Sequence, residues 1–298
     1  MILPFPPSEN DEPDLDALNR ELQKVTDTYN HTPNPEIGGF SPDMLMRLNY
    51  TEWNTPESPL KLNAALSLEM LRAAPYFISL RNFLLYVVEQ GSVKATATGN
   101  LSRKVVMDQL DAFWTPRQKE SWFSVSKVAN EEDVHPLNCG RYILEFAGLL
   151  KKRKSTFYVP KSKQGLLEEK KAGELADLLF VTHFRKFQLG YNVRYAEKFD
   201  LIQQDAGYLL FTMGLQLKEW TVVDVALVRK LLHPMTLGAL REALKPSRYV
   251  NETRVLSAYL LMPFLSWGLL ECESPEVYCL ENKKIRVSAF YRKWIRFK

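Results

Sequence analysis

A chain of 298 residues, 46% hydrophobic and 25% charged, has the composition of an ordinary globular protein and is long enough for two domains, or for one with a large extension. Its three cysteines, Cys139, Cys272 and Cys279, have no paired spacing, which excludes a disulfide framework and fits a reducing compartment. The first residues lack a signal-peptide pattern, and the longest uncharged run, residues 255–270, is shorter than the roughly 18–20 residues of a membrane span; a cytoplasmic protein with no membrane partner is expected.

Residues 1–75 read as an acidic N-terminal helical extension. Asp14 to Tyr29 is a first polar helix, with Leu15, Leu18, Leu22 and Val25 at helical spacing. A proline- and glycine-rich connector follows over residues 30–40. Ser41-Pro42-Asp43 then starts a helix, with Ser as N-cap, Pro at the first position and an acid in the first turn. Ser67 opens a further short helix.

Residues 76–172 form a first unit. Phe77, Leu80, Leu84 and Val87 share a helical face that stops at Gly91. A β-like run from Val93 to Thr96 leads through the turn Thr98-Gly99-Asn100 into a helix carrying Leu101, Val105, Val106, Leu110 and Phe113. A loop with Pro116 and Pro136 precedes a third helix near 137–147. Gly148 ends that helix, and residues 149–159 read as a β-hairpin with a basic tip. Helix, strand, helix, helix, hairpin is the order of a winged helix-turn-helix.

Residues 173–220 are apolar on most helical faces and are expected to be a buried helical connector. One helix carries Ala176, Phe180, Phe184 and Phe187, and another carries Phe199, Ile202, Ala206, Leu209, Met213 and Leu217. Residues 221–298 repeat the first plan, with helices near 222–232, 237–244 and 253–267, the last interrupted by Pro263. A hairpin and a C-terminal helix follow. Gly-Leu-Leu precedes the hairpin in both units, at 148–150 and 268–270. The expected fold is mainly α with short β-hairpins (α+β): tandem winged-helix-like units behind an N-terminal helical extension.

The run Thr96-Ala97-Thr98-Gly99-Asn100-Leu101-Ser102-Arg103-Lys104 resembles a signature of a family of uncharacterised bacterial proteins, some labelled as plasmid or mobile-element open reading frames. The Gly-Phe-Ser-Pro-Asp helix start at 39–43 and the Ala-Gly-Leu-Leu with its basic hairpin at 147–154 are similar to the same family. The resemblance covers most of the chain. It supports the construction and implies no particular activity.

The charge is unevenly spread. Residues 1–60 hold 11 acidic and 3 basic side chains, so the rest of the chain carries +12 of the +4 total. Eight basic residues fall in 151–171 and seven in 283–298. A basic stripe is the footprint of a polyanion partner, although charge runs are also ordinary solvated faces. Lys151, Lys152, Arg153 and Lys154 at a projecting hairpin tip can straddle a nucleic-acid backbone, or simply keep the hairpin soluble. Thr98 and Asn100 open a helix start at which exposed amides suit a phosphate, with Arg103 and Lys104 in the first turn; a plain turn and cap is the alternative. Arg141, with Asn138 and Glu145, is expected on the outward face of the third helix.

Catalytic and metal signatures are missing. No G-x-S-x-G, H-E-x-x-H or dinucleotide fingerprint occurs. His135 and Cys139 stand four apart without the second ligand pair that a zinc site needs, and His183 reads as a core histidine. No cofactor is expected and the chain is not read as an enzyme. The leading reading is a nucleic-acid-binding or regulatory winged-helix protein acting on DNA or RNA. The alternative is a module for a protein partner or self-association, since Val255 to Leu265 leave the third helix of the second unit almost no polar face.

Overall fold

The computed structural model describes residues 14–191, 199–245, 251–274 and 279–298. It is mainly helical, with three small antiparallel sheets. Helix α1, Leu15–His31, begins where Asp14 Oδ1 accepts the Ala17 amide at 2.9 Å, and none of its residues is buried. Helix α2, Pro42–Tyr50, is capped by Ser41, whose hydroxyl accepts the Met44 amide at 3.2 Å. Strand β1, Leu60–Leu62, and helix α3, Leu68–Leu71, complete this part. From Phe40 onward the segment belongs to the core: Phe40 packs on Tyr208 and Phe211 at centroid distances of 5.5 and 4.4 Å. Strand β1 pairs antiparallel with the last strand of the chain, Leu60 opposite Phe297.

The first unit runs α4 (Pro75–Glu89), β2 (Val93–Lys94), α5 (Arg103–Phe113), α6 (Pro116–Phe123), α7 (His135–Phe146), β3 (Lys151–Arg153) and β4 (Thr156–Tyr158). Helix α6 occupies what reads as a loop in the sequence. Pro116 is its first residue rather than a break, and Thr115 and Gln118 close a capping box around it. The expected cap of α5 also moves, from Asn100 to Ser102. The joint consists of α8 (Lys161–Gln164), α9 (Ala172–Val181), a π-helical turn over Thr182–Lys186, α10 (Phe199–Gln204) and α11 (Ala206–Gln216). The second unit continues with β5 (Thr221–Val222), α12 (Val225–Leu231), α13 (Pro234–Leu244), α14 (Glu252–Leu256), α15 (Met262–Ser266), β6 (Leu270–Cys272) and β7 (Lys284–Val287). The expected C-terminal helix is short: α16, Ala289–Trp294, gives way to strand β8, Ile295–Phe297.

Both units share one connectivity. A helix leads to a strand, then to three helical segments, then to a hairpin whose second strand sits in the middle of the sheet. The orders are β2-β4-β3 and β5-β7-β6. The helix before each hairpin ends alike: Gly148 and Gly268 are left-handed at φ 69° and 73°, and the next amide reaches back to Leu144 and Phe264 carbonyls, each at 2.9 Å. Glycine enters that conformation without the Cβ clash.

The helix expected over 199–217 is broken at Asp205, and the one expected to be interrupted by Pro263 is broken by a wide turn just before it. Pro263 has no amide to donate and its ring would strike the carbonyl four residues back; the wide turn Ser257–Leu261 immediately before it takes up that clash. Asp205 separates α10 from α11 and accepts the His233 amide at 3.3 Å.

The core is densest at the joint. Phe180 lies within 6.0 Å, centroid to centroid, of Trp53, Phe184, Trp267 and Trp294, which come from the N-terminal segment, the π-turn, the second unit and the C-terminal helix. Asp177 is buried beside it, accepting the Trp294 indole N–H at 2.7 Å and the Asn54 amide at 3.2 Å. Burial raises its carboxyl from 3.8 to about 6, against the lowering effect of those two donors. A raised folded-state value stabilises the fold below the unfolded value and loses that contribution as pH climbs through 6, an amount of about 3 kcal/mol. The stability difference between the parent protein and Asp177→Asn, measured by urea unfolding, is therefore expected to shift by about that much between pH 3.5 and pH 7.5. A difference independent of pH would refute the assignment.

Candidate nucleic-acid interface

The hairpin β3–β4 is set by a two-residue turn, Lys154-Ser155, in which Lys154 adopts φ 55°. Lys151, Lys152, Arg153 and Lys154 are all exposed, and among the described residues none of them has a carboxylate within ion-pair distance. The pairing register sorts them by face. Val93, Phe157 and Lys152 share one side, with the first two buried. Lys94, Arg153 and Lys151 share the other, outward side with Thr156 and Tyr158. Lys94 thus joins the basic face although nothing in the sequence reading singled it out; its neighbour Val93 faces inward, so strand alternation was the available signal.

The structure brings the turn at 96–100 up to this hairpin. A Cβ placed on Gly99, at φ 95°, would lie 2.6 Å from Lys152 Nζ, so the lysine crosses directly over the glycine. Thr98 is exposed there, its hydroxyl 2.9 Å from that of Thr96. The four amides from Gly99 to Ser102 are already occupied. Gly99 N–H donates to Thr96 O, Asn100 N–H to Thr96 Oγ1, Ser102 N–H to Lys94 O, and Leu101 N–H to the carboxylate of Glu131. Asn100 donates its side-chain amide to Glu132 at 2.9 Å and Arg103 donates to Asn130 at 3.3 Å. Lys104 is exposed at the start of α5. From Gly99 to Ser102 the turn therefore presents side chains rather than amides, while Ser102 gives the start of α5 no side-chain cap.

Arg141 departs furthest from expectation. It is 3% exposed and points inward, donating Nε to Glu131 Oε1 at 2.5 Å and a terminal nitrogen to Glu145 Oε1 at 3.0 Å. Burial alone lowers a guanidinium pKa, but Glu131, Tyr142 and Glu145 more than offset it and hold this one above the usual range. Asn138 is buried too and donates to the same Glu131 oxygen at 3.0 Å. Helix α7 packs against the turn at 182–186, and Tyr191 donates or accepts across it at 2.9 Å from Tyr142. The third helix consequently has no polar face free to enter a groove. Glu131 anchors Leu101, Asn138 and Arg141 together.

The second hairpin carries cations as well, and two of them, Lys284 and Arg286, are matched. Arg286 lies 2.7 Å from Glu271 across the strand pair and 4.6 Å over the Trp220 ring, and Lys284 lies 3.7 Å from Glu273. Its tip falls partly outside the described residues.

Chemistry at the joint is muted. A cavity of about 450 Å³ lies between the two π-turns, lined by Tyr76, His135, Cys139, His183, Tyr191 and Met262, among others. His183 Nδ1 accepts the Trp267 indole N–H at 2.8 Å; burial, helped by His135, pushes its pKa down to about 3, so the ring is neutral. Burial pushes the Cys139 thiol up to about 12, which removes its nucleophilic form. Among the described residues no group of three His, Cys, Asp or Glu side chains is placed to hold a metal ion, and all three cysteines are free. No helix of the described residues is long and apolar enough to cross a membrane.

Comparison with known proteins supports only the first unit. The chain is 35% identical over 82 residues to the uncharacterized protein y4jL of Sinorhizobium fredii, a match covering 27% of this chain and 37% of that relative. The chain thus spans little more than a third of the relative's length. No solved structure matches. Residues 72–172 match the model of the Y4jL N-terminal domain, so the part that holds the basic hairpin is shared with an uncharacterised bacterial family.

Proposed function

We propose that the first unit is a winged-helix-like module that grips the phosphate backbone of a nucleic acid with its hairpin and reads no base sequence. The observation carrying this reading is the outward face of Lys94, Lys151 and Arg153, with Lys154 at the tip, exposed and unmatched by carboxylates among the described residues. Thr98, Asn100, Arg103 and Lys104 flank it on the turn below. The strand order β2-β4-β3 with a hairpin after the last helix supports the winged-helix comparison, although three helices rather than two separate the first strand from that hairpin. Arg141 has no part in the surface.

Phosphate contacts release counterions, so affinity falls linearly on a log–log salt plot with a slope of about −0.9 per contact. Fluorescence anisotropy with a labelled 20-base-pair duplex is expected to give such a slope for the parent protein. The Lys151→Ala/Lys152→Ala/Arg153→Ala/Lys154→Ala variant should flatten it by up to about 3–4 units, and scrambling the duplex should leave affinity unchanged. A parent protein that does not bind at about 50 mM salt removes the proposal.

A second reading, a protein-interaction module, draws on the coverage of the third helices: α7 is packed on the joint, and Thr253, Val255, Leu256, Leu260, Leu261 and Phe264 of the second unit are buried. Salt-independent absence of duplex binding, together with defined self-association, favours it.

A further inference from the structure

Helix α1 presents Leu15, Leu18, Leu22, Val25 and Tyr29 at exposures of 65, 52, 55, 65 and 64%. We infer that this stripe is the seam of a two-stranded coiled coil formed with α1 of a second copy of this chain. The spacing is 3, 4, 3 and 4 residues, the a/d repeat whose mean of 3.5 keeps one seam facing one partner over its whole length. A helix of 17 residues with no buried residue has little to hold it in water, because helices of this length draw most of their stability from a packed apolar face. Five large apolar side chains in one line supply such a face only when something covers them.

The flanks of the seam fit an identical partner. The positions beside it are Asn19, Glu21, Thr26 and Thr28, so a second copy meets no run of like charge. The single acid among them, Glu21, is already balanced by Lys24 of its own helix at 2.8 Å. The remaining charges of the helix, Asp16, Arg20 and Asp27, fall on the outer positions, as they do in paired helices. At its C-terminal end the seam runs into a cleft of about 470 Å³ where Tyr29 meets Met46, Tyr50 and Met235. These three side chains are exposed as well, and they extend the apolar contact available to the partner beyond the helix itself.

The inference does not depend on nucleic-acid binding. Sedimentation equilibrium of the full chain at about 100 μM, above a micromolar dissociation constant, is expected to give twice the 34.5 kDa chain mass. Leu18→Glu/Leu22→Glu, which puts acids in the middle of the seam, should return the mass to 34.5 kDa with an unchanged thermal unfolding midpoint of the body. Gln23→Glu, away from the seam, should remain dimeric. A monomeric parent protein, as when residues 1–13 of the same chain cover the seam, overturns the inference. So does a Leu18→Glu/Leu22→Glu variant that stays dimeric.

Discussion

Glu131→Ala is expected to destabilise the protein by about 3 kcal/mol, the low end of the cost of breaking a buried ion pair, because Glu145 still partners Arg141. The carboxylate is 1% exposed and one oxygen receives both Arg141 Nε and the Asn138 amide, while the other receives the backbone N–H of Leu101. Removing it leaves the buried guanidinium only the partly exposed Glu145 and unties the turn at 96–101 from α7. Urea unfolding with an unchanged m-value would report the loss. The comparison that identifies its cause is Glu131→Gln with Arg141→Met. An amide still accepts from Leu101, and the methionine removes the buried charge, so this pair should recover most of the stability. A double variant no better than Glu131→Ala would show that the loss has another origin. If hairpin contact with the backbone is correct, the folded double variant should also bind duplex DNA with unaltered affinity, because Arg141 does not reach the surface.

The second large effect is expected at a glycine, and its size depends on which copy of the plan is changed. Gly148→Ala should cost about 1 kcal/mol, the ordinary penalty for a side chain in the left-handed region. Its φ is 69°, and nothing lies within 4 Å of where a Cβ would sit. Gly268 has nearly the same φ, 73°, but there a Cβ would fall 1.8 Å from the Ala73 carbonyl oxygen and 2.7 Å from its carbon. Relief requires the chain entering α4 to move away from a close-packed interface, so Gly268→Ala should cost more than about 3 kcal/mol. Thermal unfolding of the two single variants measures the contrast directly. Equal costs would mean that the 73–74 segment yields without penalty.

Both experiments turn on what could be read from residues alone. Three helix starts are legible because their signals are local. Asp14 and Ser41 cap where their side chains reach the third amide onward, and Ser67 does the same for the Met70 amide. The repeated plan of strand, helices and hairpin was legible too, because the Gly-Leu-Leu ends depend on one backbone conformation. The interruption at Pro263 is legible as well, but the wide turns at 182–186 and 257–261 and the break at Asp205 are not, since an apolar helix and an apolar helix with a wide turn have the same hydrophobic pattern. Helix α6 was missed for a related reason: Pro116 ends a helix or begins one according to what Thr115 and Gln118 do in space.

The candidate surface divides in the same way. Four consecutive cations in a hairpin are visible in any reading of residues 151–154, and local pairing places them on a projecting tip. Whether a cation remains available is decided by contacts between segments distant in sequence. Arg141 looked outward by helical position, but the run at 131–133 folds against α7 and supplies the carboxylate that draws it inside. Lys94 looked incidental until the register of β2 on β4 aligned it with Arg153.

Local pattern is enough for the helical class, the starts of α1, α2 and α3 and the two hairpins, because each rests on residues within a few positions of one another. Only the tertiary structure decided that the N-terminal segment is joined to the C-terminus through β1 and β8. It alone decided that α7 is covered, and that Lys284 and Arg286 on one hairpin are matched while Lys151 to Lys154 on the other are not, among the described residues. Those outcomes depend on burial and on partners 10 to more than 200 residues away, and a buried charge must find its counter-ion wherever the fold brings one.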